Sequence, residues 1–248
     1  MAEGSRGSAG FSRLGLRTWG VWPPRLGGST SIRGEEALTG VWAGREELVR
    51  ELAHILVRIG ALRFGAFTLT SGKMSSYYID LRIVPSFPDV FERICSMYEE
   101  MARKDVGTDR FDRIASVPVA GIPFATCLSI KLRKPLVIVR KEAKTHGRGK
   151  RIEGIIKPGD RVLLVDDLIT TGKSLRSTAK ALRGEGGVVE DALVLIDRQE
   201  GGRGALASDG IKLHSLAGIT EVAKVLYEEA LIGEEEYKAI LRQVRAES

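Results

Sequence analysis

Arg161 to Leu175, RVLLVDDLITTGKSL, decides how the rest of the chain is read. Val162 to Val165 are apolar and run directly into two adjacent carboxylates, Asp166 and Asp167, then into a hydroxyl-rich turn, Thr170-Thr171-Gly172-Lys173-Ser174. A short apolar run bounded in this way predicts a buried parallel strand. Leu175, Ala179 and Leu182 follow at helical spacing, so a helix begins near Ser174, where the loop ends. Backbone N–H groups of such a loop and helix start lack partners within the helix and form a phosphate site, while acids at the strand tip accept from hydroxyls. Phosphate and hydroxyls side by side describe a sugar phosphate. A P-loop is excluded, because it requires a glycine five residues before the Gly-Lys pair, and Asp167 stands there. The bland alternative is two aspartates that end a strand and cap a helix. A cap needs only one, and a second charge adds a desolvation cost.

Working outward, strand and helix alternate. Arg113 to Val119 predicts a strand, followed by Gly121-Ile122-Pro123 and a helix to about Lys131. Pro135 to Val139 predicts a second strand, ending at Arg140; the helix of the opening stretch runs to Arg183; Val188 to Ile196 predicts a further strand, ending at Asp197-Arg198-Gln199-Glu200. Such alternation indicates βαβ units, hence an α/β fold with a central, mostly parallel sheet and helices on both faces. Ligands in such sheets sit beyond the carboxyl ends of the strands, where the polar clusters of this chain fall in succession. Upstream, Leu48, Leu52, Ile55, Leu56 and Ile59 mark a helix, FTLTSGKMSSYYIDLR (67–82) a hairpin-like unit, and Asp89 to Arg103 another helix. Downstream, a Gly-rich connection (201–204) leads to a strand at 211–216 and helices at 220–230 and 234–245.

The 248 residues suffice for one α/β domain, expected over 44–248, plus an appendage. Residues 1–43 are rich in Gly, Ser and Arg and show no sustained period, so a disordered or loosely attached extension is expected there. No apolar run approaches the ~18 residues of a membrane span, so a soluble, cytoplasmic protein is expected. Cys95 and Cys127 share no metal-ligand spacing and read as buried free thiols in a reducing compartment. The chain has no Asn and only two Gln, a composition that suggests a thermophilic source.

The formal net charge is +6, and most of it is local: seven Lys or Arg against two Glu lie between Arg140 and Lys157. That concentration argues for one anionic ligand and against a broad nucleic-acid footprint. The segment RKEAKTHGRGKRIEG (140–154), with Gly147 and Gly149, predicts a projecting, flexible loop. A cationic loop beside a sugar-phosphate strand can neutralise a pyrophosphate leaving group while a sugar C1 becomes electron-poor. Mg²⁺ is expected on the pyrophosphate, held mainly through substrate oxygens with no dedicated protein ligand set. The indicated reaction is phosphoribosyl transfer from 5-phosphoribosyl-1-pyrophosphate.

VLLVDDLITTGKS resembles the diphosphate-sugar signature of the type I phosphoribosyltransferases. Three further motifs resemble the orotate phosphoribosyltransferase family: FTLTSGKMSSYYIDLR its N-terminal substrate segment, RKEAKTHG its catalytic loop, and DRQE its orotate-side strand end. The resemblance implies that fold, with an N-terminal helix-hairpin hood and a flexible catalytic loop, and formation of orotidine 5′-monophosphate in pyrimidine biosynthesis. It implies that Arg140, Lys141, Lys144 and His146 contact pyrophosphate, with Lys144 carrying the rate and His146 assisting by a proton or hydrogen bond. Asp166, Asp167, Leu168, Ile169, Thr170, Thr171, Gly172, Lys173 and Ser174 would hold the ribose 5-phosphate, Asp167 counting among the catalytic residues and Thr170 also touching orotate. Arg198 would pair with the orotate carboxylate, and Tyr78 and Ile79 would sit against the pyrimidine. The resemblance further implies a homodimer with shared active sites.

Two departures stand out: Thr70 and Ala120 occupy positions where many members of that family carry lysine, which leaves Lys73 as a substitute. The competing readings are a sister transferase acting on a purine or uracil, and a regulatory protein of the same fold that binds nucleic acid. Against the latter, residues 1–43 carry a net charge of only +2, from five Arg and three Glu, and no DNA-binding motif.

Overall fold

A computed structural model describes residues 44–68, 74–140 and 151–247, so the extension expected at 1–43 lies outside the described residues. The chain enters through α1 (Arg45–Arg58), whose buried Leu48, Leu52, Ile55 and Leu56 follow the expected spacing, with Glu46 and Glu47 in the first turn and Arg58 in the last complementing the helix dipole. Next, β1 (Leu62–Thr68) and β2 (Met74–Ile79) pair antiparallel, with a register shift between Phe64 and Phe67. The expected turn, with Thr70 and Lys73, falls outside the described residues. A short 3₁₀ turn (Leu81–Ser86), opened by Asp80 accepting from the Arg82 N–H, leads into α2 (Pro88–Met101), where Pro88 occupies the position in which its missing N–H goes unnoticed.

The main sheet follows, with β3 (Arg113–Ser116), α3 (Ile122–Leu132), β4 (Leu136–Val139), β5 (Ile152–Glu153), β6 (Arg161–Val165), β7 (Leu168–Ile169), α4 (Lys173–Gly184), β8 (Val188–Asp197), α5 (Gly202–Ser208), β9 (Lys212–Gly218), α6 (Ile219–Glu228) and α7 (Glu234–Glu247). Every pairing is parallel except that of β5 with β4. The order across the sheet is β5, β4, β3, β6, β8, with β9 filling the far edge of β8. Because β9 occupies that edge along Asp191–Asp197, β7 pairs with β8 on the same side as β6 and continues its line after an interruption at Asp166 and Asp167.

The pleat sends alternate residues to two cores. Leu163 and Val165 join a core with α1, α2, α3 and α6, while Val162 and Leu164 join one with α4 and α5. Full burial of each such side chain stabilises by about 1.5–3 kcal/mol, which ties strand register to the whole core.

Two expectations change. The strand expected to run to Val119 ends at Ser116, because the chain turns there: Val117 N–H reaches back to the Val165 carbonyl (3.3 Å) and Gly121 N–H to that of Val117 (3.2 Å). The Gly-rich stretch 201–204, read as a connection, opens α5 instead.

Candidate active site

The interruption between β6 and β7 is held from three sides. Asp166 N–H donates to the Leu193 carbonyl (3.1 Å) and Leu195 N–H to that of Asp167 (3.0 Å), so β8 tracks the chain through the break. From α2, the buried Tyr98 hydroxyl donates to the Asp166 carbonyl at 2.7 Å. From the turn before α3, Gly121 lies so close that a Cβ there would stand 2.8 Å from the Val165 oxygen and 2.9 Å from Asp166 Cα. Any side chain at Gly121 would therefore push on Asp166, its carboxylate included.

Asp166 is buried, and one of its oxygens accepts from the Asp167 N–H at 3.0 Å. Burial raises the Asp167 carboxyl above its ordinary range, opposed by the Leu168 N–H, by Asp166 and by the charge of Arg82. A carboxyl whose folded pKa is raised holds its proton more tightly folded than unfolded, so it contributes stability at low pH and loses it as pH rises through the folded pKa. Asp167→Asn should therefore melt above the wild type at pH 7 while losing most turnover. The gap should close as the pH is lowered, in melts followed by circular dichroism. A variant that melts below the wild type at pH 7 would count against this reading.

After β7 the chain enters Thr170-Thr171-Gly172, and Gly172 caps α4 in a left-handed backbone, with no side chain capping the helix. The ladder of α4 starts with Arg176 N–H on the Gly172 carbonyl (2.9 Å), which leaves the N–H groups of Lys173, Ser174 and Leu175 without a partner inside the helix. The start of α5 packs against this loop. A Cβ at Gly202 would run into the Thr170 carbonyl oxygen and stand 2.7 Å from the Ile169 side chain. Close approach to Thr170 requires glycine there, which is why the stretch is glycine-rich without being a mere connection.

The pairing of β7 with β8 carries on to the residue after β8: Arg198 N–H donates to the Ile169 carbonyl at 3.0 Å. The Arg198 side chain is buried and pairs with Glu200 at 2.8 Å, each about 5 % exposed. Its guanidinium carbon lies 4.7 Å from the centre of the Tyr77 ring. Gln243 of α7 ties the surroundings together, accepting from Ser75 Oγ (3.0 Å) and Ser76 N–H (3.2 Å) and donating to Glu200 (3.2 Å). Two polar atoms in this cluster are buried without a hydrogen-bond partner, Arg198 Nε and the Tyr77 hydroxyl. Burial pushes the Tyr77 phenol up to about 12 against the opposing charge of Arg198, so at neutral pH it keeps its proton.

Of the residues singled out from sequence, Asp166 to Ser174 and Arg198 are thus brought to neighbouring strand ends. Tyr78 and Ile79 project their side chains to opposite faces of β2: Ile79 is in the core, while Tyr78 accepts from Arg82 at 2.8 Å and packs at a tilt against the Phe67 ring. Both can meet one planar ring only along the backbone edge of β2 that β1 leaves free. Arg82 also binds Asp80 through two nitrogens, at 2.7 and 2.9 Å, which raises its own pKa and lowers that of Asp80.

Arg140, at the end of β4, is exposed and pairs with Glu153 at 3.2 Å. Its N–H donates to the Arg151 carbonyl (2.7 Å) and Arg151 Nε to its own carbonyl (3.1 Å), so Arg140 and Arg151 are paired at the end of β4. Lys141, Lys144 and His146 lie outside the described residues. Sequence reasoning passed over Ser75, Tyr77, Tyr98 and Gln243. Strand alternation in 74–79 was the signal that could have set Ser75 and Tyr77 on one face; nothing local marks Gln243.

The phosphoribosyl transferase domain family matches residues 92–210. Over 173 residues the chain is 47% identical to the orotate phosphoribosyltransferase of Cenarchaeum symbiosum, covering 70% of this chain and 86% of that protein. Identity to the enzyme of the same name from Pyrococcus abyssi is 42% over 172 residues, covering 69% and 93%. The crystal structure of orotate phosphoribosyltransferase from Aeropyrum pernix superposes with a TM-score of 0.64 at 36% identity, over 73% of this chain and 99% of that one. With the doubled carboxylates at an interrupted strand and the open helix start behind them, these likenesses mean that the chain belongs to the orotate phosphoribosyltransferase family, the pentosyltransferases of pyrimidine biosynthesis.

Proposed function

We propose that Arg198 and the Tyr77 hydroxyl receive the orotate carboxylate, while the 168–174 loop and Asp166–Asp167 hold the ribose 5-phosphate of 5-phosphoribosyl-1-pyrophosphate. The observation that carries this is a pair of groups buried without a hydrogen-bond partner, Arg198 Nε and Tyr77 Oη, on residues whose guanidinium and ring lie 4.7 Å apart. Buried donors left without an acceptor cost about 1–3 kcal/mol each, and a planar carboxylate matches the guanidinium fork. Behind Arg198, Glu200 takes one side of the guanidinium and leaves Nε for the ligand.

In the reaction the C1–O bond to pyrophosphate breaks, orotate N1 bonds to C1, and the N1 proton is lost. The helix-start N–H groups hold the 5′-phosphate and the two aspartates the ribose hydroxyls, which fixes C1 in front of the ring. Arg140, together with Lys141, Lys144 and His146, neutralises the departing pyrophosphate. Among the described residues no group of three or more His, Cys, Asp or Glu could hold a metal ion. Mg²⁺ fits this chain as a partner of the pyrophosphate oxygens, where it supplies charge neutralisation.

A homodimer in which the 141–150 stretch serves the neighbouring subunit follows from the same reading. No helix of the described residues is long and apolar enough to cross a membrane. The direct test is loss of orotate absorbance with 5-phosphoribosyl-1-pyrophosphate and Mg²⁺. Turnover of a purine or of uracil, with none of orotate, would overturn the assignment of the carboxylate to Arg198.

A further inference from the structure

We propose that Cys95 and Cys127 form a disulfide that ties α2 to α3 beneath the sugar-phosphate site. Cys95 is buried and Cys127 half-buried. Their placement follows from contacts that bracket them on both helices. Phe91 meets Phe124 with ring centres 5.9 Å apart, and Tyr98 stacks on Phe124 at 5.3 Å. Farther along the same seam, Lys131 Nζ lies 3.3 Å from Ser96 Oγ and 3.3 Å from a Glu99 oxygen.

The two helices therefore run parallel, with Phe91 opposite Phe124 and Glu99 opposite Lys131. Cys95 is four residues from both Phe91 and Glu99; Cys127 is three from Phe124 and four from Lys131. With Phe124 set between Phe91 and Tyr98 and Lys131 reaching Ser96 and Glu99, the two cysteines lie within about one turn of the same level of the seam. Packed helix axes lie about 8–10 Å apart and each helix has a Cα radius of about 2.3 Å, so facing Cα atoms come within roughly 3.5–5.5 Å, and more where they are offset along the seam. A disulfide spans that separation.

The oxidant is a small-molecule disulfide. The thiolate of the more accessible Cys127 attacks one of its sulfurs and expels one small thiolate. Cys95, as thiolate, then attacks the Cys127 sulfur of the mixed disulfide and expels the second. Two protein thiols are oxidised, one disulfide is reduced to two thiols, and the two protons pass to the expelled thiolates. The bond would clamp both supports of the interrupted strand, since α2 carries Tyr98, bonded to the Asp166 carbonyl, and α3 is led by Gly121, packed on Asp166. Closing the loop between the two cysteines also narrows the unfolded ensemble.

The test equilibrates the full chain with oxidised glutathione or with dithiothreitol, then denatures, alkylates and weighs it. The expected result is an oxidised protein that takes up no alkyl group, is lighter than the reduced chain by two hydrogens, and yields a peptide joining Cys95 to Cys127. It should melt about 5–10 °C above the reduced form, and Cys95→Ser and Cys127→Ser should each abolish that difference. Alkylation of both thiols after oxidation, or glutathione retained on Cys127 without the cross-link, would overturn the proposal even if neither serine variant folds. A cross-linked protein that melts with the reduced one would overturn the clamp.

Discussion

Arg198→Ala is expected to lower kcat/KM for orotate by about 10³-fold, because truncating a buried, hydrogen-bonded charge partner costs about 2–5 kcal/mol, or roughly 30- to 5000-fold. The upper part of that range applies here: the guanidinium is buried, already oriented by Glu200, and stacked on Tyr77. The same substitution strands Glu200, whose side chain is about 5 % exposed, and loss of one partner of a buried pair destabilises by about 3–5 kcal/mol. Folding and binding would then fall together. Arg198→Lys separates them, since it keeps a positive charge for Glu200 but loses the planar fork and its Nε. The lysine variant should melt near the wild type and bind 5-phosphoribosyl-1-pyrophosphate normally, with a raised KM for orotate. Steady-state kinetics in both substrates and a melting curve decide the matter; an unchanged orotate KM in Arg198→Lys would sink the assignment.

Lys144→Ala should cut turnover about 10²- to 10³-fold with little change in melting temperature or in orotate KM, as expected when a charge that serves only the departing anion is removed. The expectation rests on the cationic run of 140–146 and on the place of Arg140, bonded to Arg151 at the end of β4, one strand from β3 and two from β6. Single-turnover measurements isolate the chemical step. The shared-site dimer adds a second readout. If Lys144 serves the partner's site and Arg198 its own, dissociating and reassembling equal amounts of Lys144→Ala and Arg198→Lys chains should restore roughly a quarter of wild-type activity, assayed at orotate concentrations far below the raised KM of Arg198→Lys. Half of the dimers would then be mixed, each with one intact site. Additive residual activity, with no restoration, would assign both residues to one subunit's site.

Much of this was open to local reading. The βαβ order, the parallel sheet and the position of Asp166 to Ser174 at a strand tip follow from apolar runs, helical spacing and the adjacency of two charges, all features of neighbouring residues. Errors arose where tertiary contacts overrode propensity. Glycines at 201, 202 and 204 look like a connection because glycine is a poor helix former, yet α5 begins there because Gly202 alone fits against Thr170. The strand expected to reach Val119 gives way at Ser116 to the turn that lays Gly121 against Asp166.

By itself, then, the sequence determined which groups are available: a hydroxyl-rich loop before a helix, two carboxylates, a run of cations and an arginine at a strand end. Tertiary structure alone decided what surrounds them. Tyr98 reaches Asp166 from 68 residues away, Ser75 approaches Arg198 across 123, and Gln243 joins Ser75 to Glu200 from the last helix. No period or spacing encodes these meetings, because they depend on how the hood and the C-terminal helix stack on the strand ends. The chain states its chemistry locally, and the desolvation that shifts Asp167 and orphans Arg198 Nε exists only once distant segments exclude water from them.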